Sequence, residues 1–203
     1  MGQHGRNGEN TGSALPHVVT VAGLKRSGKT TVASSLIAGL RARGFRVGSV
    51  KTIHGHTLSL DVEGTDTRRH AEAGAEFTIA LLDDQMAYFE PRASRATLPE
   101  AARLFRPGVQ FVVWEGMVDP GTSSAHVVCL RAAEDLERTL SERRIDPASI
   151  VAISGIAAGS AAGSAAGGAA RVAADVPVHD ATDPAGLASL VDLIIRRFGE
   201  DRA

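Results

Sequence analysis

A chain of 203 residues has room for one α/β domain and too little for two well-buried ones. With 43% hydrophobic residues, 22% charged residues and a net charge of −1, it reads as globular, with no overall field to draw in nucleic acid or an anionic membrane. Its one cysteine, Cys129, excludes an intramolecular disulfide, and no stretch reaches the apolar length of a membrane span.

Residues 1–16 are polar and rich in Gly and Asn; they read as a disordered leader without the apolar run of an export signal, so a cytoplasmic location is expected. From 17 to 199 one domain is expected, built from alternating strands and helices. HVVTVAG (17–23) is a continuous apolar run, as in a strand buried on both faces of a parallel sheet. From Thr30 to Arg43, Val32, Leu36, Ile37 and Leu40 fall on one helical face, and Gly44 supplies a left-handed stop. FRVGSVK (45–51) is a second strand. After a loop at 52–66, a short helix is expected from Asp66 to Ala73, capped near Asp66 or Thr67. FTIALLD (77–83) and MAYFE (86–90), parted by Asp84 and Gln85, suggest a hairpin. A helix at 98–105 and strands at 109–116 and 126–131 follow. HVVCL encloses Cys129, which reads as a buried, inert thiol. A helix near 133–143 and a strand at 149–155 continue the alternation. The low-complexity Ala/Gly/Ser stretch 156–170 reads as a flexible insertion. A strand at 176–180 and a helix from about Asp183 to Phe198 close the chain. Such alternation implies a mostly parallel sheet with helices on both faces, and the turn GLKRSGKT between the first strand and the first helix makes the expected fold that of the P-loop nucleoside triphosphatases.

GLKRSGKT (23–30) satisfies G-x-x-x-x-G-K-[ST] at every fixed position, between an apolar strand and an amphipathic helix. Gly23 and Gly28 let the backbone curl so that successive amides face a phosphate chain, and the helix dipole adds to them. Lys29 is expected between the β- and γ-phosphates, with Thr30 as a magnesium ligand and Thr31 near the α-phosphate. Lys25 and Ser27 lie in the turn and count among its nucleotide-binding positions. For Lys25 and Arg26 the competing reading is a solvated basic turn.

The metal calls for a carboxylate at the end of a neighbouring buried strand. Glu115, after FVVW, fits that place; the plainer alternative is an ordinary strand-end acid. Asp66 is a second candidate, as a switch-like acid after the second strand, and Asp61 and Glu63 are weaker ones. Lys51 and His54 are expected to line the cleft, and His54 with His56 lacks the further ligands of a zinc site. The guanine-reading N-K-x-D segment is absent, since Asn occurs only at 7 and 10. Asp180 and Asp183 are therefore the candidate acceptors for a guanine edge, with helix capping by Asp183 or Thr182 ahead of Pro184 as the alternative.

GLKRSGKTT, RGFRVGSVKTIHGH, LDVEGTDTRRHAEAGA, VVWEG and VPVHDATDPAGLASLV together resemble the MobB family of molybdopterin-guanine dinucleotide biosynthesis proteins. The likeness covers roughly residues 17–120 and 172–195; K-T-I-H with D-x-E-G-T-D-T-x-R-H-A-E-A-G-A is its most specific part. It implies a GTP- and magnesium-binding protein with weak GTPase activity, acting beside the molybdopterin guanylyltransferase and the pterin cofactor. It also implies a homodimer, to which the 77–90 strands can contribute. Carried onto this chain, Gly23, Gly28, Lys29, Thr30 and Thr31 take phosphate and magnesium. Lys51, His54, Asp61, Asp66, Thr67, Arg69 and His70 form the second segment, and Glu115 and Gly116 the Walker B-like end. Lys29, Asp66 and Glu115 are the expected catalytic group.

A different class fits the same scaffold: a small-molecule kinase or ATP-dependent ligase, with Arg92, Arg95, Arg103 and Arg106 as lid residues. A third is a non-catalytic adaptor that uses nucleotide to set its shape. No residue stands out as a general base, which argues for poor catalysis alone.

Overall fold

The computed structural model describes residues 16–53, 64–94, 96–116, 124–156 and 176–200. His54, His56, Asp61, Glu63 and Arg95 lie outside them, as do residues 1–15 of the leader and 157–170 of the low-complexity stretch. The chain divides into two compact units, residues 1–53 with 102–203, and residues 54–101.

The first unit is built on five parallel strands in the order β2-β5-β1-β6-β7: β1 (His17–Gly23), β2 (Val47–Lys51), β5 (Phe111–Glu115), β6 (Ser124–Cys129) and β7 (Ile150–Ser154). β1 lies at the centre, and every residue from Val18 to Gly23 is buried, as its unbroken apolar run requires. Two helices cover one face: α1 (Lys29–Ala42) with Val32, Leu36 and Leu40, and α5 (Pro184–Glu200) with Leu190, Val191, Ile194 and Phe198. They pack against Val19, Val21, Val113, Val127 and Cys129. On the other face α4 (Asp135–Arg143) sets Leu136, with Ile145 just beyond it, against Ala22, Val128, Leu130, Ile150 and Ile153. Burying each large aliphatic side chain contributes about 1.5–3 kcal/mol. The doubly covered parallel sheet expected from the sequence is the observed fold.

The expected strand at 176–180 is reduced to a single bridge between Val178 and Ile153. Pro177 has no N–H to give to a ladder, although its carbonyl accepts from Ile153 N at 3.0 Å and His179 N donates to Ile153 O at 2.9 Å. Gly44, at φ 86, ends α1 with its N–H donated to Arg41 O, as expected.

The second unit contains α2 (Asp66–Glu72) and an antiparallel hairpin of β3 (Thr78–Leu81) and β4 (Met86–Phe89). The hairpin is as anticipated, with Leu82 N bonded to Gln85 O at 2.8 Å across the turn. The cap of α2 is Thr65, one residue before the expected positions, because its hydroxyl accepts from Arg68 N at 3.4 Å. The helix α3 (Leu98–Ala102) is shorter than the expected 98–105. Phe105 N turns back to Ala102 O, a three-residue step that ends the α-helical ladder.

Candidate functional site

The turn Leu24–Gly28 leaves the C-terminal end of β1 and runs straight into α1. Two residues in it have positive φ, Arg26 at 62° and Gly28 at 87°. At Gly23 a Cβ would overlap the Cys129 carbonyl and lie 2.5 Å from Ser27 Oγ, so only glycine lets the strand end pass beneath the loop. Gly28 is the N-cap of α1, with no side chain capping the helix and no acid in its first turn. The first-turn amides thus have no side-chain cap, as the head of an anion-binding helix would require.

The Lys29 ammonium folds back to Leu24 O at 2.5 Å. Burial holds its pKa below the usual lysine range, and the Arg143 charge nearby lowers it further. Thr30 Oγ1 donates to Glu115 Oε1 at 2.8 Å, while Lys51 Nζ pairs with Glu115 Oε2 at 3.1 Å. Glu115 is 13% exposed in its side chain, so a two-sided contact of this kind fixes its orientation.

The backbone explains why these three meet. In the parallel ladders Glu115 stands opposite both Val21 and Lys51. Just beyond, Thr52 N donates to Glu115 O at 2.9 Å and Gly116 N to Val21 O at 3.1 Å. Trp114 Nε1 donates to Thr52 Oγ1 at 2.7 Å, bracing the strand end against β2. The hydroxyl and the carboxylate expected to share a metal are thus neighbours at the mouth of the phosphate loop. Their 2.8 Å separation suits two adjacent ligands of an octahedral magnesium ion, roughly 3 Å apart when each bond is about 2.1 Å. No cluster of three or more His, Cys, Asp or Glu suited to a metal occurs among the described residues. A cation here would therefore draw its other ligands from phosphate and water, which suits magnesium better than zinc.

Asp66 belongs to the second unit, where its side chain is 89% exposed and pairs with Arg69 at 3.4 Å. Arg92, one of the arginines considered for a kinase lid, is held by Glu90 at 2.5 Å and by Glu100. Its guanidinium is committed within that unit. Cys129 is fully buried and its thiol is pushed up to about 12 by burial, so it is inert as expected.

The two acids near the end of the chain have different roles. Asp183 Oδ2 accepts from Gly186 N at 2.8 Å and caps α5 ahead of Pro184. Asp180 Oδ1 accepts from Thr182 N at 2.9 Å and Thr182 Oγ1 at 2.6 Å, bonds that hold its carboxyl below the usual range. Asp180 also lines a cavity of about 140 Å³ with Gly28, Thr31, Gly155, Ile156 and Thr182. That cavity adjoins the phosphate loop through Gly28 and Thr31. Gly155, at φ 95, lets β7 end against the loop, because a Cβ there would overlap Ser27 O. Sequence reading marked Asp180 but missed Gly155, Ile156 and Thr182. The one available signal was a glycine directly after the apolar run VAIS.

Residues 18–154 match the family of molybdopterin guanine dinucleotide synthesis protein B. The chain belongs to that family. It is 35% identical over 97 residues to a molybdopterin-guanine dinucleotide biosynthesis adapter protein of Haemophilus influenzae, a match covering 47% of this chain and 54% of that protein. The chain thus spans about half the length of that curated relative. Two solved structures of Bacillus subtilis MobB share the fold. One has a TM-score of 0.61 at 22% identity, covering 87% of this chain and 97% of the other. The second has a TM-score of 0.58 at 20% identity, with coverages of 87% and 96%. The match takes in the phosphate loop, Lys51 and Glu115, and among the described residues no helix is long and apolar enough to cross a membrane.

Proposed function

We propose that this MobB-family chain binds GTP with magnesium at the Gly23–Thr31 loop, hydrolyses it slowly, and serves as an accessory to the guanylyltransferase that attaches GMP to molybdopterin. The observation that carries the reading is the Thr30–Glu115–Lys51 cluster at the head of α1. It supplies a hydroxyl and a carboxylate for one cation, plus an ammonium that pairs with the carboxylate and orients it. Magnesium, when bound, supplies charge neutralisation at the phosphate oxygens. The loop amides and Lys29 bind and orient the triphosphate, and Lys29 exchanges the Leu24 carbonyl for phosphate. No described side chain is placed as a general base, so slow turnover is the expected behaviour.

Guanine is assigned to the cavity beside Gly28 and Thr31, with Asp180 as the acceptor for its ring N–H and amino group. Asp183, spent on capping α5, is set aside as a base reader.

The test is phosphate release from GTP and from ATP, each with magnesium and without an acceptor, alongside calorimetric titration of Lys29→Ala. Slow release favouring GTP and a loss of affinity of at least about tenfold in the variant are expected. Turnover that appears only with an added phosphoryl acceptor would instead identify a kinase. Unchanged affinity in Lys29→Ala would remove the phosphate site altogether.

A further inference from the structure

The phosphate loop stands at the C-terminal end of the parallel strands, the end at which open α/β sheets hold their ligands. A second cavity, of about 330 Å³, lies within the first unit at the opposite end, where α1 finishes and β2 begins. Arg41, in the last turn of α1, lines it. Lys29 opens the same helix, roughly 18 Å away at about 1.5 Å per residue, so the two places are separate.

Three arginines line this cavity, Arg41, Arg46 and Arg106, and no described Asp or Glu does. All three are exposed, and none belongs to an ion pair among the described residues. Arg41 gives one amino group to Phe45 O at 3.2 Å. The backbone of Arg46 is pinned: its N–H donates to Gln110 Oε1 at 3.1 Å, and its carbonyl accepts from Gln110 N at 2.9 Å and Phe111 N at 3.2 Å. Arg106 opens a tight turn closed by Val109 N to Arg106 O at 3.3 Å, with Pro107 and Gly108 at its centre. Gly108 has φ 79, as the third position of such a turn requires, and a Cβ there would meet Arg46 Nη1 at 2.6 Å. The turn thus sets Arg106 in place and leaves room for the Arg46 guanidinium. The other walls are largely apolar: Val47, Phe105 and Val109 are half-buried, and Leu104 is 61% exposed.

A guanidinium keeps its charge at any accessible pH, so like charges gathered on one rim are relieved by an anion from outside. One carboxylate is satisfied by a single guanidinium fork, whereas a phosphate dianion has oxygens to share among several. A bare ion would leave Leu104 and Phe105 facing water. The volume falls within the roughly 300–1,000 Å³ of small-molecule sites and far exceeds the share of one water, about 30 Å³.

We propose that this cavity is a second ligand site, for a small organic phosphate ester. Its phosphate meets Arg41, Arg46 and Arg106, and its flat or apolar body lies against Leu104 and Phe105. The site does not depend on what the phosphate loop binds.

The experiment follows the backbone amide resonances of the isotope-labelled full chain during separate titrations with phenyl phosphate, inorganic phosphate and phenol. Phenyl phosphate is expected to move Gly48, Ser49 and Val109, which line or flank the cavity, in a saturable way. Inorganic phosphate binds there at least about tenfold more weakly, for want of the ring, and phenol leaves those amides unmoved. Arg46→Gln and Arg106→Gln each weaken phenyl phosphate by about tenfold or more, with the rest of the amide spectrum unchanged as the sign of an intact fold. Shifts confined to Gly28–Thr31 would give the binding to the phosphate loop and overturn the second site. So would equal affinity for inorganic phosphate, or undiminished binding in both folded variants.

Discussion

At the scale of single residues the phosphate loop is constrained by what lies under it. Gly23 passes the Cys129 carbonyl with no space for a methyl group, so Gly23→Ala must displace backbone or the Ser27 hydroxyl. Overpacking of this kind costs about 1–3 kcal/mol, and a fall of that size in urea unfolding is expected, together with weaker nucleotide binding. A second residue-scale consequence comes from His126, buried opposite Thr20 in the β1–β6 ladder and hydrogen-bonded to its hydroxyl. Burial lowers its folded pKa below 6.5, opposed only in part by Asp146. The unfolded chain therefore takes up the proton first, and the stability tied to neutral His126 is complete above about pH 6.5. It is lost as the pH falls from there through the folded pKa. Urea melts between pH 7.5 and 5.5 should show that loss, and His126→Gln should flatten it.

At the scale of elements, the hairpin of the second unit carries an apolar face. Ile79 stands opposite Tyr88 and Leu81 opposite Met86, with Phe77 stacked on the Tyr88 ring. Leu81 is 78% exposed and Met86 64%, so this face is a candidate for contact with a second copy of the chain. If two copies join through this face, Leu81→Lys and Met86→Lys together lower the mass in sedimentation velocity from that of two chains to that of one, with the first unit still folded. A single species of unchanged mass would rule the hairpin out as the contact.

The elements also mark where sequence reading succeeds and where it stops. The loop was legible because its spacing is fixed by the phosphates it serves, and the hairpin because β-branched and aromatic runs flank polar turn residues. The capping of α5 by Asp183 was legible as an alternative, since Pro184 follows it. Strand register was not legible. That Lys51 and Glu115 stand side by side is a property of the β2–β5 ladder, which no local pattern encodes. The 176–180 strand was over-read, because apolar alternation says nothing of the donor that Pro177 lacks.

At the scale of the whole molecule, the phosphate loop, Glu115 and the Asp180 cavity all belong to the first unit. Nucleotide should therefore stabilise that unit by mass action, by roughly 2.7 kcal/mol at a hundredfold excess over Kd. Thermal or chemical melts with GTP and magnesium measure this. Glu115→Gln should retain a GTP effect while losing most of the increment that magnesium adds. Full magnesium dependence in that variant would move the metal assignment elsewhere.

The bond from Thr30 to Glu115 has a consequence for how an ion would arrive. The hydroxyl gives its single hydrogen to the carboxylate and keeps both of its lone pairs, so that bond need not break when a cation seats against the two oxygens. The strand end and the helix head are held at a ready-made spacing, and ion arrival would ask for little rearrangement of either.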